Sequence, residues 1–116
     1  MIEDLKQAGF LAVEAEGEIL HARLWSSSIE FTATPVAEGW ELALQWPVRA
    51  SEAQLDAWNA EHSTAPMDLY RGETRLRMTL PLGDAKRLPE WAAMAEKAVA
   101  TCIRWRKQQR APGEGM

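Results

Sequence analysis

Few of the 116 residues are of types that do chemistry at neutral pH, and their spacing argues against a reaction centre. Neither His21 nor His62 has a cysteine or a second histidine at ligand spacing, so no zinc site is expected. Cys102, the only cysteine, falls on the apolar positions of a helical stripe, where a thiol behaves as a small inert hydrophobe. Ser26-Ser27-Ser28 has only His21 as a base nearby in sequence, and turn chemistry accounts for the triplet better than nucleophilic catalysis does. Carboxylates are plentiful, but no pair stands in an apolar setting that would raise a pKa for acid–base work. The glycines at 9, 17, 39, 72 and 83 are isolated, which excludes a phosphate-cradling loop. Asn59 follows Trp58 directly on a helix, and a helix-borne amide in that place ties down a neighbouring loop. No catalytic residue, metal ligand or cofactor is therefore assigned, and the chain reads as non-enzymatic.

Composition points the same way. Hydrophobic residues make up 47% and charged residues 26%, a globular balance in a chain long enough for one core without disulfides. No uncharged apolar run approaches the ~18–20 residues that span a bilayer. The acidic start, with Glu3 and Asp4, is unlike a secretory leader, and one cysteine fits a reducing cytoplasm. Net charge is −4, yet cations gather late at Lys97, Arg104, Arg106, Lys107 and Arg110. An isoelectric point near 5.2 is unlike that of a nucleic-acid binder, and cations in the last turns of a helix favour its dipole. Neither nucleic acid nor membrane is expected as a partner.

The elements that would position these residues can be read from periodicity. Residues 1–8 form a short helix stopped by Gly9. Strands follow at 10–16, 19–25 and 29–34, with Pro35 ending the third. A Glu38-Gly39 turn leads into 40–46, where Trp40, Leu42, Leu44 and Trp46 alternate with Glu41, Ala43 and Gln45. Ser51 and Gln54 form a capping box for a helix at 51–62. A hairpin around Arg71-Gly72 joins strands at 66–70 and 73–82; Leu76, Met78, Leu80 and Leu82 oppose Arg75, Arg77 and Thr79. Pro89 opens a last helix to about 109, whose stripe is Trp91, Ala95, Ala98, Val99, Cys102 and Trp105. The order α-β-β-β-β-α-β-β-α predicts an α+β fold, an antiparallel sheet flanked by helices. Residues 1–110 make a single domain, and 111–116 a disordered tail.

At Leu55, Trp58 and Asn59, followed by 67–70, the Arg71-Gly72 turn, 75–82 and 89–109, the chain resembles the YbjN family. These are small bacterial proteins described as sensory transduction regulators, with a type III secretion chaperone-like fold. The turn is shorter and less acidic than is usual in that family, and Pro66 stands where members continue the strand, which suggests an edge. The resemblance implies a secretion-chaperone-like fold and a regulator or chaperone-like adaptor. It carries no catalytic residue.

Six tryptophans are many for one core of this size. Trp58, Trp91 and Trp105 lie on helix stripes and belong to the core. In the second strand Ile19, His21 and Trp25 oppose Leu20, Ala22 and Leu24, so both faces are partly apolar. An exposed sheet face carrying Trp25, Arg75 and Arg77 is thus the expected protein-binding surface. The function this implies is a cytoplasmic protein- or peptide-interaction module that self-associates as a homo-oligomer. The alternative is a small-molecule or enzymatic pocket between the sheet and the last helix, using His21 or Asn59.

Overall fold

The computed structural model describes the backbone of residues 1–114 and the side chains of residues 1–110. Its elements run α1 (Ile2–Gln7), β1 (Leu11–Glu16), β2 (Ile19–Arg23), β3 (Glu30–Val36), β4 (Gly39–Trp46), α2 (Glu52–Glu61), β5 (Met67–Tyr70), β6 (Glu73–Pro81), a 3-10 turn (Ala85–Arg87) and α3 (Leu88–Glu114). This is the α+β order read from the sequence. All strand pairs are antiparallel, in the order β1-β2-β3-β4-β6-β5. The expectation for a tail at 111–116 falls on residues whose side chains, and at the last two whose backbone, lie outside those described.

Local signals set most boundaries. Gly9, at φ +94°, closes α1: its N–H donates to the Lys6 carbonyl and that of Phe10 to the Leu5 carbonyl, while Leu5 and Phe10 are both buried. At α2 the Ser51 hydroxyl accepts from the Gln54 N–H at 3.1 Å, and the Gln54 side chain accepts from the Ser51 N–H at 2.8 Å. Arg71 and Gly72 both have positive φ, 54° and 81°, as the tight β5–β6 turn demands.

Several boundaries differ from expectation, among them β2, which ends at Arg23, and α3, which runs from Leu88 to Glu114. Pro35 lies inside β3, opposite Trp40. Pairing of β2 with β3 reaches only Leu20↔Ala33, so at Pro35 the strand is already an edge and needs no donor on that side. The β3–β4 turn falls on residues 37–38, and Gly39 begins β4, because an added Cβ there would run into the Leu80 carbonyl of β6. Leu82 lies beyond β6 and is exposed, since β6 ends at Pro81.

The helices share one side of the sheet. Leu20, Ala22, Phe31, Ala33, Leu42, Leu44, Leu76, Met78 and Leu80 face Leu5, Trp58 and the predicted α3 stripe, every member of which is buried. Phe31 meets Phe10 and Trp91 edge-on, at ring centroid distances of 4.9 and 5.5 Å.

Candidate functional site

Trp58 and Asn59 act as a structural lock. The Trp58 indole N–H donates to the Ala65 carbonyl at 2.8 Å. Asn59 donates through Nδ2 to the Met67 carbonyl at 3.0 Å and accepts through Oδ1 from the Met67 N–H at 2.7 Å. One side chain thus supplies the pairing a neighbouring strand would give, and it consumes the outward backbone groups of β5 at Met67. The role expected of Asn59 is the one it fills. His62 stacks on Trp58 at a centroid distance of 4.1 Å, and His21 lies on the opposite face of the sheet. Neither His21 nor Asn59 is therefore in a pocket between sheet and last helix. Burial pushes the Cys102 thiol up to about 11, away from a reactive thiolate. Among the described residues no group of three His, Cys, Asp or Glu side chains is placed to hold a metal ion.

Trp25, Arg75 and Arg77 do not share a surface. Arg75 and Arg77 stand on the helix-free face, as their alternation predicted, but they are engaged there. Arg75 grips Asp68 with two bonds of 3.0 and 2.8 Å and lies over the Tyr70 ring at 4.4 Å. Arg77 reaches Asp68 at 3.2 Å and Glu41 at 3.8 Å. The Arg75 hydrogen bonds, with the charge of Arg77 beside them, hold the Asp68 carboxyl below its usual range against the opposing effect of burial. Further along, Glu30 meets His21 at 3.4 Å and Arg23 at 3.8 Å. Thr32, Thr34, Gln45 and Thr79 share this face with the ion pairs, and the exposed Leu11, Ile19, Val36 and Tyr70 stand toward its margins. The three residues expected on one sheet surface are therefore divided, with Arg75 and Arg77 on the helix-free face and Trp25 on the helical side.

The sheet edges are also blunted. β1 is irregular between Leu11 and Glu14, with Ala12 at φ +50°, and β5 is four residues long with Met67 already engaged.

Trp25 lies elsewhere because β2 stops at Arg23. The Leu24 N–H donates to the Ile29 carbonyl and that of Ser28 to the Leu24 carbonyl, closing a loop that removes Trp25 from the strand's alternation. Trp25 is 62% exposed. It borders a groove of about 390 Å³ on the helical side, between the end of α1 and the start of α3. Ala8, Phe10, Ser26, Pro89, Ala92 and Ala93 line the rest, and Glu96 is the only charged member. Small side chains make this hollow, and α1 and α3 leave it unfilled. A second cleft of about 360 Å³ opens where β3 and β4 diverge beyond the Thr32↔Ala43 pair, between Phe31, Leu44, Trp46 and Arg75. Neither hollow brings together a nucleophile and a base. The groove was missed in the sequence because its walls come from three segments, none of which shows an apolar excess alone.

No helix among the described residues is long and apolar enough to cross a membrane. No protein-family model, curated protein or solved structure matches this chain.

Proposed function

We propose that this protein is a non-enzymatic, cytoplasmic interaction module that binds a polypeptide in the groove between α1 and α3, with Trp25 as its anchor. One observation carries the reading: a tryptophan 62% exposed beside a hollow of alanines and one proline, with a single carboxylate at its rim. Exposed aromatics on a charge-poor patch are what protein contacts are built from. On the sheet face the central arginines are engaged in ion pairs and the exposed apolar residues are scattered toward the margins, so with the edges blunted this groove is the best-suited surface. The YbjN resemblance is part of the proposal: the element order and the Trp58–Asn59 lock support it, and with it a regulator or chaperone-like adaptor of secretion-chaperone-like fold.

Panning a displayed peptide library against the wild-type protein and Trp25→Ala, at nanomolar protein, tests the reading. Enrichment of peptides with an apolar anchor that bind the wild type and not the variant is the expected result. Failure to enrich any Trp25-dependent sequence would overturn it.

A further inference from the structure

Helix α3 has a second stripe besides the one in the core. Pro89, Ala93, Glu96, Ala100, Ile103 and Lys107 follow one another at intervals of 4, 3, 4, 3 and 4 residues, the spacing that keeps one face of a helix toward a partner helix. Five of the six are exposed and Glu96 is half-buried. At one end the stripe forms the wall of the Trp25 groove, through Pro89, Ala93 and Glu96. Toward the other it carries Ile103, the only large hydrophobic residue on the described part of α3 that is substantially exposed, at 41%.

Charge sets the direction a second copy of the helix would take. Residues 84–97 carry three carboxylates and three cations, with Glu90 held by Arg87 at 2.9 Å, whereas residues 98–110 carry four cations and no carboxylate. A parallel copy of the helix would set the cationic halves against each other. An antiparallel copy sets each cationic half against a half of balanced charge that holds Glu96, and opposes the two helix dipoles favourably. The stripe is also symmetric under that reversal: Pro89 meets Lys107 of the other copy, Ala93 meets Ile103, and Glu96 meets Ala100. Ile103 is thereby delivered to the alanine wall of the groove beside Trp25, twice, once in each direction.

We propose that the occupant of the groove is a second copy of this chain, docked through an antiparallel, two-fold α3–α3 contact with Ile103 as the inserted side chain. This rests on the groove reading and specifies its partner. From Pro89 to Lys107 the seam is about 27 Å long. With Trp25 and the end of α1 added it covers on the order of 1,000 Å² in total, the lower end for a specific contact, so the dimer should dissociate on dilution through the micromolar range.

Sedimentation velocity from sub-micromolar to hundreds of micromolar protein should show a reversible monomer–dimer equilibrium. Ile103→Glu, at an exposed position, should weaken it at least about tenfold. Register is tested separately with Pro89→Cys and Lys107→Cys. An equimolar mixture of the two single variants should give a disulfide-linked dimer under mild oxidation. Neither variant alone should, because like positions lie about 27 Å apart across the axis. A wild type that stays monomeric, a dimer indifferent to Ile103→Glu, or cross-linking of a single variant with itself as efficient as in the mixture would overturn the proposal. If the chain is monomeric yet still selects Trp25-dependent peptides, the second copy is refuted and the groove stands. If no such peptides emerge, the groove reading fails on its own evidence.

Discussion

Asn59 commits both ends of its amide to one residue, Met67, and that geometry explains why an asparagine stands there. Alanine would leave a buried backbone N–H and carbonyl of β5 without partners, at a cost of about 1–3 kcal/mol. Asn59→Ala should lower the urea midpoint correspondingly and speed amide exchange at Met67 more than at Leu76, its cross-strand neighbour. Equal exchange rates at Met67 in variant and wild type would show that α2 does not hold this edge. Trp58, one position earlier, fixes the same loop through Ala65, so the adjacent pair serves one structural end. Arg75 shows the same economy on the other face, where Asp68 and Tyr70 both engage its guanidinium.

Among the elements, β4 and β6 form the longest pairing, eight residues from Gly39↔Pro81 to Trp46↔Thr74, and the sheet is organised about it. Gly39 permits the approach at one end, where any Cβ would meet the Leu80 carbonyl. Gly39→Ala should therefore destabilise the fold by about 1–3 kcal/mol or more. The drop should appear in the denaturation midpoint with an unchanged slope. A midpoint within error of wild type would mean that the two strands can separate locally without harm. The other end is fixed from α3: Arg106 donates to the Pro47 carbonyl at 2.7 Å, and Gln109 to the Arg49 carbonyl at 2.7 Å. Part of the cationic end of α3 thus anchors the segment between β4 and α2; because α3 continues to Glu114, past the end expected near 109, these cations do not stand in its last turn.

For the whole molecule, the response to acid should depend on Asp68. Its pKa is held below the ordinary 3.8 in the folded state, so on acidification the unfolded chain takes up that proton first. The stabilisation is complete above about pH 5 and is lost as pH falls through the folded-state pKa. Asp68→Asn should lower the urea midpoint at neutral pH and flatten its fall between about pH 5 and 3. The effect is modest, since the side chain is 38% exposed and solvent screens the pair. A variant with the wild-type acid slope would assign the acid sensitivity to other carboxylates.

The α+β order, the α2 capping box, the stop at Gly9, the β5–β6 hairpin and the α3 core stripe were all legible in the chain itself. Each rests on periodicity or on chemistry between residues a few positions apart. Two-residue alternation also placed Arg75 and Arg77 on the helix-free face. It could not show that Asp68 and Glu41, from two other strands, would neutralise them there. Nor could alternation show that the loop after Arg23 would carry Trp25 to the helical side, because it says nothing once pairing ends. The groove exists only where the end of α1, that loop and the start of α3 converge. Local spacing determines which elements form, whereas surfaces composed of several elements depend on how those elements pack, and only the tertiary structure decides that.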